Sequence, residues 1–305
     1  MKSLKRIISI CLIFVISLNL SSCKVLDSIG TNKNAVKVGS KNFTEQYILG
    51  EMIAQIIENE GIEVDRVFGM SGIKLIHDSI KNGAVDIYPE YTGSALMYIL
   101  KKDLVKDSKK VYDIVKKEYK DKFNLIWLKQ SPMDNKSVLV TTKEIATKYN
   151  IHTFSDVALN ADKLVFSAPA EFWERKDGIK QLIKVYGGFN NFKDVIKMDM
   201  GMQYRALVKG QFDVTLGNST DGQVKQYDLI ILEDDKKIWP PYHVSAVVRL
   251  ELLKKYPKLE NKLNKLFSLL TTDIMTELNL KVDGEEEMDA EDVAREFLKK
   301  NKLLK

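Results

Sequence analysis

Cysteine, proline and histidine are scarce in this chain, which has two, six and three of them among 305 residues. Two cysteines cannot supply the cross-linked framework on which small secreted domains depend. The histidines, His77, His152 and His243, fall in three separate segments. That spacing offers no His-rich metal centre, and we expect no metal ion and no cofactor. Also missing are a GxxxxGK[ST] phosphate loop, an HExxH zinc helix, a GxSxG nucleophile elbow and a CxxC pair, so the usual hydrolase, protease and redox signatures do not apply. Pairs of acids such as Asp234 and Asp235 are all that an enzymatic reading could use. Their place in a polar LEDDKK turn reads instead as solvated or hinge-structuring, and no enzyme is expected.

What is present describes an ordinary globular body. Hydrophobic residues make up 45% and charged residues 29% of the chain, a balance that excludes disorder and leaves room for one large domain or two lobes. The net charge is less basic than it looks. Of the 47 Lys and Arg residues, three (Lys2, Lys5 and Arg6) lie in residues 1–22, which hold no acid. The remainder, 44 against 42 Asp and Glu, is close to neutral and argues against a nucleic-acid partner.

The opening MKSLKR precedes an apolar stretch at residues 7–20, too short for a spanning helix and about right for a signal peptide. It ends in Leu20-Ser21-Ser22-Cys23, which resembles a bacterial lipobox. The resemblance implies that residues 1–22 are removed and that Cys23 becomes a lipidated N-terminus. Acyl chains contribute about 0.8 kcal/mol per buried CH₂ to anchoring. Residues 23–35 then read as lipid attachment and polar tether, placing the body at the outer face of the cytoplasmic membrane.

From Val36 onward, short apolar strands alternate with amphipathic helices. VKVGS, EVDRVF and VDIYP are predicted strands, and between them Tyr47 to Ile57 and Ile73 to Ile80 recur at helical spacing. This βαβαβ order predicts a parallel sheet with helices on both faces. A charged helix is expected around 106–121. A second alternating block follows (VLVTT, LVFSA, FDVTLG, DLIIL), and beyond Pro240-Pro241 come the strand HVSAVVR and three helical stretches. The acidic cluster between Glu285 and Asp292 lacks the spacing of a calcium loop and reads as a solvated helix start.

Four phrases carry more specific information: GSKNFTEQYILGEMIAQ at 39–55, GAVDIYPEYTGSAL at 83–96, EFWERKDG at 171–178 and LEDDKKIWPPYHVSAVVR at 232–249. In order and spacing they resemble the substrate-binding lipoproteins of ABC importers for glycine betaine, choline, carnitine and related osmoprotectants. The resemblance runs over nearly the whole body. It implies an α/β, two-lobed type II periplasmic-binding-protein fold with a ligand cleft, lobe 1 being 36–133 plus 241–305 and lobe 2 being 134–240. The implied partners are a small-molecule ligand and an ABC permease with a cytoplasmic ATPase, and the protein is expected to be a monomer.

The resemblance also implies site residues. Lys41, Ser94 and Arg175 match positions that clamp the ligand carboxylate, where a point charge, a hydroxyl and a forked guanidinium suit the chemistry. A trimethylammonium offers no N–H, so aromatic faces hold it by cation–π attraction. Tyr91 and Tyr242 match two tyrosines of such a cage, while Ser137 and Asn218 stand where two further aromatic residues are expected. Two lost faces at about 0.5–2 kcal/mol each forfeit roughly 1–4 kcal/mol, or about 5- to 1000-fold in affinity. Asn135 belongs to the same segment as Ser137, and Trp173 could add an indole to the site or belong to the core. Ser137 and Asn218 add hydrogen-bonding groups, which would suit a larger betaine or an amino-acid derivative.

Overall fold

The computed structural model describes residues 35–174, 178–199 and 201–304. Cys23 and the leader, like Arg175, lie outside the described residues. In chain order the strands are β1 (Val36–Lys41), β2 (Val64–Met70), β3 (Ile87–Tyr91), β4 (Leu125–Trp127), β5 (Ser137–Thr141), β6 (Val165–Ala168), β7 (Asp194–Lys197), β8 (Val214–Asn218), β9 (Ile230–Leu232) and β10 (Val244–Arg249). They form two sheets, ordered β2-β1-β3-β10-β4 and β7-β6-β8-β5-β9. The chain therefore passes from the first sheet to the second after β4 and returns before β10.

Neither sheet is purely parallel, which corrects the expectation from the βαβ alternation. β1 runs parallel to β2 and β3, whereas β10 is antiparallel to both β3 and β4. In the second sheet β6 is parallel to β7 and β8, and β5 is antiparallel to β8 and β9. The two reversed strands share a cause. Each is the first strand after a crossing, so no helical crossover fixes its direction as it does within a βαβ unit.

Helices cover both faces of the sheets. The Thr44–Glu58 helix buries Ile48, Leu49, Met52, Ile53, Ile56 and Ile57, joining a core that runs through both lobes. The opposite face of the first sheet is closed by Ile76, Tyr88, Tyr119 and Trp127, that of the second by Val138, Val140, Tyr204 and Leu207. The charged helix spans Ser108–Phe123, with Asp107 accepting from the Lys110 N–H and Asn124 closing it in the left-handed conformation. The C-terminal region holds four helices, not three: Leu250–Lys255, Lys258–Leu269, Thr272–Asp283 and Ala290–Lys300. Pro257 divides the first from the second, because the residue before a proline avoids helical geometry.

The crossing segments are bonded to each other. Asp134 and His243 form an isolated antiparallel bridge, Asp134 Oδ1 accepts from the Tyr242 N–H at 2.6 Å, and the Asn135 N–H donates to the Tyr242 carbonyl at 3.1 Å. His243 Nδ1 lies 2.8 Å from the Met133 carbonyl. Two short strands side by side make a narrow connection between the sheets, the arrangement expected of a hinge.

Candidate ligand-binding site

In open α/β sheets, ligands gather at the carboxyl ends of strands. Lys41 and Tyr91 are the last residues of neighbouring β1 and β3, and Asn218 ends β8. Ser137 opens the antiparallel β5 and pairs in register with Asn218. Trp173 follows β6 on the Ala170–Glu174 helix. The predicted positions in the described residues thus fall at the carboxyl edges of both sheets or on the segments between them.

Lys41 is buried, and its ammonium contacts Glu90 Oε1 at 2.5 Å, with Glu90 itself fully buried. The same carboxylate oxygen accepts from the Tyr91 N–H at 2.8 Å. Lys41 Nζ also stands 4.7 Å from the centroid of the Tyr91 ring, a cation–π distance. Phe43 stacks on that ring at 6.4 Å. A cation already rests on Tyr91, and its charge is balanced by an acid that sequence reasoning did not single out.

Tyr242 is buried beside Thr92 and Gly93. A Cβ on Gly93 would meet Tyr242 ring atoms and the Pro241 carbonyl at 2.9 Å, so glycine here permits the close approach of the Tyr91–Ser94 turn to the second crossing. Ser94 is buried at the end of this turn, which continues into a π-helical segment over Ala95–Ile99, a form frequent at functional sites. Trp173 is half-buried and meets Phe166 edge-on at 5.9 Å, so its ring packs on the second lobe's aromatic cluster.

The centre of the arrangement is Glu45, also missed from sequence. Its Oε1 accepts from the Tyr91 hydroxyl at 2.6 Å and from Asn135 Nδ2 at 2.8 Å. Its Oε2 accepts from Asn279 Nδ2 at 3.1 Å, and that nitrogen also donates to the Thr220 carbonyl at 2.9 Å. One buried carboxylate therefore links β3, the first crossing and the Thr272–Asp283 helix, and through Asn279 the end of the second sheet. Burial beside Glu45 pushes the Tyr91 hydroxyl well above the usual phenol range. A possible sequence signal was an acid in the first turn of a helix, where the dipole favours it.

Asp221 lies beyond Asn218. Its Oδ2 accepts from the Tyr204 hydroxyl at 2.5 Å and from the Asn218 N–H at 2.8 Å. Desolvation raises its carboxyl from 3.8 to about 6. The remaining candidates are structural. Asp234 accepts from the Tyr186 hydroxyl and the Ile238 N–H, and Asp235 accepts from the N–H and hydroxyl of Ser155. His77 packs edge-on against Tyr119 and Phe123. Among the described residues there is no group of three or more His, Cys, Asp or Glu that could hold a metal ion, and no helix long and apolar enough to cross a membrane.

Two lobes with mixed sheets, a paired double crossing and polar and aromatic groups at the strand ends between them define a type II periplasmic binding protein. Comparison with known proteins agrees. The family described as the substrate binding domain of the ABC-type glycine betaine transport system matches residues 34–300. The chain belongs to that family; it is a substrate-binding protein of an ABC importer, not an enzyme. It is 36% identical over 293 residues to the carnitine transport binding protein OpuCC of Listeria monocytogenes, covering 95% of this chain and 94% of that one. It is 34% identical over 283 residues to the ergothioneine transport permease/ergothioneine binding protein EgtU of Helicobacter pylori, covering 92% of this chain and 50% of that one. Among solved structures, a glycine betaine/carnitine/choline ABC transporter protein superposes with a TM-score of 0.77 at 33% identity, covering 88% of this chain and 99% of that one. Apo YehZ from Escherichia coli gives 0.69 at 28% identity, with coverage of 88% and 99%.

Proposed function

We propose that this protein captures a small zwitterionic or quaternary ammonium osmolyte, of the glycine betaine, carnitine or choline type, and passes it to a permease. The observation that carries the reading is the convergence of Tyr91, Tyr242, Lys41 and Asn135 on one junction between the two sheets. Tyr242 and Tyr91 are the aromatic residues assigned to the ammonium, and Lys41 must turn away from the Tyr91 ring as the ligand enters. Lys41 and Ser94 are assigned to the ligand carboxylate, together with Arg175 on the strength of the sequence resemblance alone. Because Glu90 balances the charge of Lys41, the larger share of carboxylate binding falls to Arg175. Lobe 1 (36–133 plus 241–305) and lobe 2 (134–240) close on the ligand about the paired crossings. Cys23 carries the lipid anchor outside the cytoplasmic membrane, and the receptor works as a monomer with a permease and its ATPase.

Calorimetric titration and thermal shift with glycine betaine, carnitine and choline test this reading. A rise in melting temperature with at least one compound is expected, and no response at millimolar concentrations to any of them refutes it. Tyr91→Ala with Tyr242→Ala tests the cage, which is wrong if neither change weakens binding. A second reading keeps the fold and transport role but assigns a non-osmolyte ligand, a larger betaine or amino-acid derivative. The Ser137–Asn218 pair favours it, as does the similarity to a relative named for ergothioneine. Titration with ergothioneine separates the two.

A further inference from the structure

Glu45 bears on how the site holds charge. Three groups donate to its carboxylate: the Tyr91 hydroxyl at 2.6 Å, Asn135 Nδ2 at 2.8 Å and Asn279 Nδ2 at 3.1 Å. All three are neutral. The buried carboxylate thus has its hydrogen bonds without a countercharge, an unfavourable state that its place in the first turn of a helix offsets only in part. The cation nearby is committed elsewhere, because Lys41 pairs with Glu90 at 2.5 Å. Asp221 brings a like charge, not a compensating one, and Glu45 contributes to the rise of its carboxyl. Two buried carboxylates and one ammonium therefore adjoin Tyr91, a net negative charge that a ligand cation neutralises.

The hydrogen bond from Tyr91 gives that charge a route to the ligand. Burial beside Glu45 holds the Tyr91 hydroxyl well above the usual phenol range, so it stays protonated and remains a donor. A hydroxyl that donates to a carboxylate is polarised by it, and the electron density of its ring rises. The attraction of a ring for a cation is electrostatic and grows with that density. An uncharged group of the same shape gains nothing from it. We propose that Glu45, acting through the Tyr91 hydroxyl, makes the site select a positively charged trimethyl group over an uncharged one of the same shape. Glu45 is in this sense a positioning and polarising residue. The inference rests on the quaternary ammonium reading above and adds to it the source of the charge preference.

Matched pairs in which carbon replaces the ammonium nitrogen test it by calorimetric titration, the weaker member being measured by displacement. The pairs are glycine betaine with tert-butylacetate, choline with neohexyl alcohol, and carnitine with its tert-butyl analogue. The cation is expected to bind about tenfold or more tighter than its carbon counterpart. Glu45→Gln keeps the acceptor that Tyr91 and Asn135 use. It is expected to weaken the cation about fivefold or more while leaving the carbon analogue within about twofold, and that retained binding certifies the fold. Tyr91→Phe cuts the same link from the other side, so the double variant should lose no more cation affinity than the worse single one. An equal loss across a pair is what a merely structural role for Glu45 gives, and it would overturn the inference. So would additive losses in the double variant, or a wild type that binds both members of a pair equally; each leaves the quaternary ammonium reading standing. Failure of every quaternary ammonium compound to bind the wild type would overturn both.

Discussion

Replacing Lys41 by methionine leaves the fully buried Glu90 carboxylate without the ammonium that now sits 2.5 Å away. Removing one partner of a buried ion pair destabilises by about 3–5 kcal/mol, because the remaining charge stays out of water. For a body of this size each kcal/mol lowers the melting temperature by about 2–4 °C, so a fall of roughly 6–20 °C is expected. Glu90→Gln alone strands the ammonium and has a similar effect. The double substitution should be milder than either single change: the glutamine oxygen can still accept from the Tyr91 N–H, which now donates to Glu90 Oε1, and no net charge remains buried. Urea unfolding of the four proteins gives the coupling energy, expected to exceed about 2 kcal/mol. If Lys41→Met lies within about 1 kcal/mol of wild type, water reaches Glu90 and the buried-pair reasoning fails.

Other expectations follow from the same geometry. Asp221 is raised to about 6 from 3.8. The native state holds its proton more tightly than the unfolded chain, so its contribution is full below pH 3.8 and is lost as pH rises through 6, by at most about 3 kcal/mol. His77 is lowered from 6.5 to about 4, first by burial, so its contribution is full above pH 6.5 and is lost as pH falls through 4. The two slopes oppose one another. In urea unfolding between pH 4 and 7, Asp221→Asn should make stability rise more steeply with pH and His77→Phe less steeply; unchanged profiles would contradict both. Gly93→Ala places a methyl group 2.9 Å from the Tyr242 ring and should weaken ligand binding at least tenfold by titration. Tyr91→Phe removes one of the donors to Glu45 and should lower unfolding stability by about 1–3 kcal/mol.

Much of this was legible in the sequence because it is local. Strand ends and helix caps follow from short patterns, and the GSKNFT and PEYTG phrases place Lys41 and Tyr91 at adjacent strand ends. The two reversed strands were not legible, since direction after a crossing depends on which neighbour the chain meets on arrival. Glu45 was hidden for a related reason: its partner Asn279 is 234 residues away, and no periodicity announces such a pair. Glu90 was visible but read as part of a motif, because only the fold shows that its carboxylate faces Lys41. For Trp173 the sequence left open whether the indole joins the site or the core, and the edge-on contact with Phe166 required the second sheet.

The position of β10 has a consequence for the order in which the protein can assemble. β3 and β4 are not bonded to each other; β10 lies between them, yet β4 ends at residue 127 and β10 begins at 244. A ribosome must therefore complete the whole second sheet before the first can be closed. Until then β3 and β4 have unpaired edges, and loop closure over that distance makes completion slow. The second sheet, continuous in sequence between residues 137 and 232, carries no such delay. The first sheet is thus the part that stays open longest as the chain is made, and the second is the part that can close first.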